Sequence, residues 1–186
     1  MTVLNVNYAD PGGPYASRHG DVSAAIQQAF SAWMSHFDTP RGTVSVKVTF
    51  TTLGGNFAAS GGYNSFKQVG GTAKKPVYMS GFGYEVATGA GLSDDRTSGQ
   101  LNLDRTWFDR TFGNAGTGAA EGQRVLQHEF GHILGFVAAT STASASAVAP
   151  SSHTTVYDQY LQFSSGSESF VGPNAVRSYA GIWVTS

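Results

Sequence analysis

The chain has 186 residues, 40% of them hydrophobic, which suits one hydrophobic core and leaves too little for a second of comparable size. Charged residues make up 12%, roughly half of the ~25% usual in soluble proteins, and eleven basic residues against twelve acidic ones leave a net charge of -1. That balance argues against nucleic-acid binding by bulk electrostatics; no run approaches the ~18 apolar residues of a membrane span, and the lack of cysteine excludes disulfides, thiolate zinc sites and cysteine catalysis.

Val3-Leu4-Asn5-Val6-Asn7-Tyr8 reads as a first strand, closed by the turn signals of Asp10-Pro11-Gly12-Gly13. Asp21 is expected to cap a helix running to about Phe37. Its apolar residues Ile26, Phe30, Trp33 and Phe37 fall at i, i+4, i+7 and i+11, one face of a 3.6-residue period. Val44, Val46, Val48 and Phe50 then alternate with Ser45, Lys47 and Thr49, the pattern of a half-buried strand. Between Gly54 and Gly99 glycine-rich loops surround a short strand at Val77-Tyr78-Met79, and Gln100 to Leu103 alternates like another. A second helix is expected to begin at Thr117, with Glu121 in its first turn, a stripe of Leu126, Phe130, Ile133 and Leu134, and Gly135 as its stop. Ala138 to Ser152 is almost pure Ala, Ser and Thr and reads as a loop; Val156 to Phe163 and Val176 to Val184 resume apolar content without a clear period. No internal repeat or domain-scale linker interrupts the chain, so one domain over 1–186 is expected.

The second helix carries Gln127-His128-Glu129-Phe130-Gly131-His132-Ile133-Leu134-Gly135-Phe136, which contains HExxH. Residues four apart share a helix face, with Cβ atoms ~5–6 Å apart, so His128 and His132 can reach one zinc ion at ~2.0–2.1 Å each. Glu129 can lean over the same face and accept a proton from water acidified by the metal, the chemistry of hydroxide addition to a peptide carbonyl. The apolar stripe would turn toward the core and leave these three ionisable groups facing a cleft. Gly131 costs ~1 kcal/mol relative to alanine inside a helix, which points to close packing or a tight site there.

The block HEFGHILGF resembles the active-site helix of zincin metallopeptidases, and the glycine three residues after the second histidine is similar to the metzincin branch. That resemblance implies an α+β zincin-like catalytic domain: a twisted mixed sheet, a backing helix from Asp21, and the active-site helix. In the metzincin branch a third histidine follows the glycine by three residues; Ala138 stands there and cannot ligate. The departure excludes the compact metzincin pattern and leaves relatives whose third histidine follows an insertion. Val156-Tyr157-Asp158-Gln159-Tyr160-Leu161 and Phe170-Val171-Gly172-Pro173-Asn174-Ala175-Val176 resemble segments of bacterial leishmanolysin-like peptidases. Two readings of the third ligand stand side by side. Either His153, the histidine downstream of the motif, completes the set, or the chain is a fragment that stops before the ligand and before a methionine-containing turn. Asp158 and Glu168 are carboxylates at distances that a glutamate-ligand zincin uses, though neither sits in that branch's helical motif.

The expected protein is therefore a zinc endopeptidase acting on protein or peptide substrates, with His128 and His132 as ligands and Glu129 as general base and acid. The alternative is a non-catalytic secreted binding module whose metal site is structural or degenerate. Peptide deformylases resemble the helix but need a cysteine ligand, and no G-x-S-x-G elbow or P-loop occurs. Tyr157, Tyr160 and Tyr179 are candidates for stabilising a tetrahedral intermediate, and Asp104 and Asp109 for orienting a ligating imidazole. Met1-Thr2-Val3-Leu4 lacks the features of a signal peptide, so the protein is either cytosolic or exported by a signal outside this chain. The resemblance, together with 24 glycines and few charges, favours secretion.

Overall fold

The computed structural model describes residues 2–37, 39–55, 57–73, 75–91, 99–112, 119–136, 154–157, 161–164 and 167–170. In chain order the elements are β1 (Val3–Tyr8), a 3-10 turn (Ala16–Arg18), α1 (His19–Met34), β2 (Thr43–Thr51), β3 (Ala59–Tyr63), β4 (Phe66–Thr72) and β5 (Lys75–Ser80). There follow α2 (Gly81–Thr88), β6 (Gly99–Asp104), α3 (Arg105–Phe112), α4 (Ala119–Leu134), β7 (Thr154–Thr155), β8 (Leu161–Ser164) and β9 (Ser167–Phe170). The chain is α+β with a mixed sheet. It divides into two compact units, Met1–Lys67 with Ser80–Gly135, and Gln68–Met79 with Phe136–Ser186.

The first unit is a sheet of order β1-β2-β6-β3 carrying one layer of helices. β1, β2 and β6 run parallel, with Val6 level with Val46 and Val46 level with Gly99; β3 lies antiparallel on β6, Gly61 opposite Leu101. Parallel strands are usually apolar on both faces. Here the alternation of β2 is real: Val44, Val46, Val48 and Phe50 are buried, while Ser45, Lys47 and Thr49 lie on the more open face. The inner face receives Ile26, Ala29 and Phe30 of α1, Phe82 and Val86 of α2, and Leu126, Phe130 and Ile133 of α4, all buried. Full burial of each larger side chain contributes about 1.5–3 kcal/mol. Phe30, Phe82 and Phe130 meet at the centre with ring centroids 5.8 to 6.4 Å apart.

Two expectations change. Asp21 does not cap α1: the 3-10 turn runs straight into the helix, which starts at His19, and Asp21 sits in its first turn with a carboxylate oxygen 3.5 Å from Arg18 Nε. The stretch read as glycine-rich loops holds β3, β4 and α2 besides the expected strand. Ser80 caps α2 by accepting from the Gly83 N–H at 2.9 Å, and Gly89, at φ +73°, ends it. α3 follows β6 directly. Thr117 and the run from Ala138 to Ser152 lie outside the described residues.

The second unit contains a sheet of order β4-β5-β7 and the antiparallel hairpin β8–β9, which pairs Leu161 with Phe170 and Ser164 with Ser167. β5 and β7 run parallel through Val77–Thr154 and Tyr78–Thr155, extended by the Val156 N–H donating to the Tyr78 carbonyl at 2.9 Å. Among the described residues no helix is long and apolar enough to cross a membrane.

Asp104 joins the end of the sheet to α3. One carboxylate oxygen accepts the Trp107 N–H, capping the helix, and the other accepts the Leu53 N–H beyond β2, both at 2.9 Å. The Trp107 and Leu53 N–H groups favour the charged form and hold the Asp104 carboxyl below its ordinary value of 3.8, against an opposing effect of burial. A carboxylate whose folded pKa is depressed stabilises the fold above its unfolded pKa and loses that contribution as pH falls through the folded value. Asp104→Ala is therefore expected to lower the melting temperature by a few degrees at pH 7. The gap to wild type should narrow below about pH 4 and vanish at lower pH. Parallel thermal melts of the two proteins between pH 2 and pH 7 check this.

Candidate metal centre

α4 places the motif. Leu126, Phe130 and Ile133 are buried at 1% exposure or less, which fixes the inner face of the helix. Two neighbours then set its rotation. On one flank the Trp33 indole lies against Gly131, where a Cβ would stand 3.1 Å from the ring, and Trp33 Nε1 donates to the Gln127 carbonyl at 2.7 Å. The close packing expected at Gly131 is thus provided by Trp33. On the other flank β3 crosses so tightly that a Cβ on Gly61 would overlap the Glu129 carbonyl oxygen. Gly135, at φ +99°, ends the helix as its glycine predicted, its N–H donating to the His132 carbonyl at 3.0 Å.

With α4 so held, His128 is exposed and His132 half-buried. Their Nε2 atoms lie 3.0 Å apart, with ring centroids 4.6 Å apart and ring planes at 89°. Two nitrogens each ~2.0–2.1 Å from one tetrahedral ion would be separated by about 3.3–3.4 Å, so a few tenths of an ångström bring the pair to ligand spacing. The pair is within hydrogen-bond distance, donor and acceptor being set by the tautomers of the two rings. His132 Nδ1 is buried with no hydrogen-bond partner, so no neighbour fixes the tautomer of that ring through its second nitrogen. The two Nε2 atoms are the donors that a divalent ion would use here, and among the described residues no third histidine or acidic side chain joins them.

Glu129 departs from the expectation that all three ionisable groups face outward. It is 7% exposed, and its Oε2 accepts the Gly61 N–H of β3 at 2.5 Å. The reason is steric: Gly61 leaves no side chain between strand and helix, so the carboxylate reaches the strand's backbone. Burying a carboxylate requires such a donor.

Among the described residues no group of three histidine or acidic side chains gathers in one place. His153 and Asp158 lie outside the described residues, as do Ala138, Tyr160 and Tyr179. Glu168 belongs to β9 in the second unit, and Tyr157 lies in the same unit, its ring 6.0 Å from that of Phe136. Asp104 and Asp109 do not orient an imidazole: Asp104 is taken by the two backbone N–H groups, and Asp109 accepts from the Tyr15 hydroxyl at 3.3 Å. Sequence reasoning passed over Gly61, whose setting in Ala58-Ala59-Ser60-Gly61-Gly62 offers no alternation, and read Trp33 as plain core.

Comparison of the chain with protein-family models, with curated proteins and with solved structures finds no match.

The tight crossing of β3 over α4 makes Gly61 sensitive. Gly61→Ala, a change that usually favours a strand, is expected to destabilise the protein by about 1–3 kcal/mol through overpacking. Urea unfolding of both proteins measures the difference.

Proposed function

We propose that this chain is a zinc-dependent endopeptidase of zincin-like fold, with His128 and His132 as metal ligands and Glu129 as general base and acid. The observation that carries the reading is the convergence of the two Nε2 atoms to 3.0 Å, one residue away from a buried carboxylate oriented by the strand beside it. The mixed sheet with an antiparallel last strand and the helices α1, α2 and α4 on one face is the α+β class that this reading requires.

Zinc, when bound, supplies Lewis acidity, polarising a peptide carbonyl and acidifying water. The chain's own residues do the rest. Glu129 Oε2 stays on the Gly61 N–H, which fixes the carboxylate plane; Oε1 then takes a proton from the attacking water and delivers it to the leaving nitrogen. β3 ends the sheet, so an extended substrate adds along it by backbone hydrogen bonds and is aligned with the strand that holds the base. A third protein ligand belongs to the proposal, and His153 is its candidate. Export from the cell is part of the same reading and rests on the resemblance of the HEFGHILGF block.

The test is cleavage of an unstructured protein by the purified chain. Activity should vanish with a chelator and return with zinc. Glu129→Gln should keep zinc and lose about 100-fold to 10,000-fold in rate, whereas His128→Ala and His132→Ala should lose the metal. A zinc site with four protein donors and no exchangeable water would instead identify the binding module with a structural metal. Full activity in Glu129→Gln removes the role given to that residue.

A further inference from the structure

We infer that the cleft between the C-terminal end of α1 and the middle of α4 is a subsite for one large uncharged side chain of the substrate, an aromatic one above all. Among the described residues it is lined by Ala32, Trp33, His36, Gln127 and His128, and this open cleft has a volume of about 290 Å3. That is the lower end of the ~300–1,000 Å3 range of small-ligand pockets, a size for a single side chain. The identity of the ligand rests on the peptidase reading, because His128 is at once a wall of this cleft and half of the imidazole pair.

The wall is built in advance. The Trp33 indole is held by its bond to the Gln127 carbonyl at 2.7 Å and by its seat against Gly131, so it presents an aromatic surface whose orientation costs nothing on binding. Ala32 is the one small side chain in the lining, and a larger residue there would fill the space. His36 stands at the rim, edge-on to Trp33 with centroids 6.4 Å apart. Among the described residues none of the five in the lining carries a carboxylate, so a lysine or arginine entering the cleft would meet no opposite charge there. An aromatic or long aliphatic side chain gains from the same burial. Sharing His128 sets this side chain beside the reacting bond, so the subsite acts on where the chain is cut.

The experiment titrates the purified full chain with N-acetyl-phenylalanine amide and, separately, with N-acetyl-lysine amide. It follows the indole N–H resonance of Trp33, identified by its loss in Trp33→Phe. The phenylalanine compound should give a saturable shift and the lysine compound one at least about tenfold weaker in affinity. Ala32→Trp, which fills the cleft, should abolish the shift. In cleavage of a peptide mixture it should move the preference at one substrate position from large to small residues, with zinc binding unchanged. If Ala32→Trp does not fold, Ala32→Met serves, and the comparison of the two compounds on wild type stands independently. No saturable shift, equal shifts from both compounds, or an unchanged cleavage preference in the folded variant overturns the subsite. A chain that binds the phenylalanine compound at Trp33 but cleaves no peptide overturns the peptidase reading and the substrate assignment with it. A chain that cleaves peptides without any Trp33 shift overturns the subsite alone.

Discussion

Everything at the candidate centre depends on how α4 is prevented from turning about its own axis. A helix advances about 100° per residue, so turning it by that much would carry His128 and His132 together into the core or to another side of the helix. The helix is held by places where a glycine permits contact. β3 lies on it at Gly61, Trp33 lies on it at Gly131, Phe112 presses at Gly122, where a Cβ would stand 2.6 Å from its ring, and Ile133 enters the space over Gly99, where one would stand 2.7 Å away. Close approach at four points leaves one rotation compatible with the buried stripe of Leu126, Phe130 and Ile133.

That constraint also explains why the carboxylate and the imidazoles part company. His128 and His132 lie one turn apart on the open side, whereas Glu129, about 100° further round from His128, falls under β3. A buried carboxylate with no donor would be costly, and the Gly61 N–H supplies one. Strand and carboxylate are coupled as a result. Whatever displaces β3 outward also withdraws the hydrogen bond that orients Glu129, and whatever adds to β3 meets a carboxylate already aligned with it.

The parts of this arrangement that could be read from the chain are those written in side-chain period. β1, β2, α1 and α4 each carry a stripe that survives folding, and Gly135 signals its own turn. β3 escaped because Ala59-Ser60-Gly61-Gly62 has almost no side chains with which to alternate, and its place is decided by the helix it must approach. α3 escaped because only eight residues long and rich in charge, Arg105-Thr106-Trp107-Phe108-Asp109-Arg110-Thr111-Phe112 shows its buried positions only once Asp104 has started the helix. The two histidines were legible because their chemistry depends on spacing within one element. The direction of Glu129 and the seat of Trp33 depend on contacts between elements, which periodicity does not encode. His153, the third-ligand candidate, lies outside the described residues.

A pair of histidines on an amphipathic helix has an ordinary explanation, a solvated face with two rings in passing contact. Exposure of His128 agrees with it, but His132 does not. Its ring is half-buried, its Nδ1 is shut away from water without a partner, and its Nε2 faces another imidazole nitrogen at 3.0 Å. A polar nitrogen withdrawn from water and left unpaired costs about 1–3 kcal/mol, a cost that a solvated histidine would avoid by turning outward. The ring is instead placed where its Nε2 meets that of His128. An N–H···N hydrogen bond between the rings satisfies both Nε2 atoms and leaves Nδ1 of His132 as the unpaired nitrogen. What the fold supplies is spacing: two imidazole nitrogens one helical turn apart, a few tenths of an ångström closer than two ligands of one tetrahedral ion, the geometry from which the peptidase proposal starts.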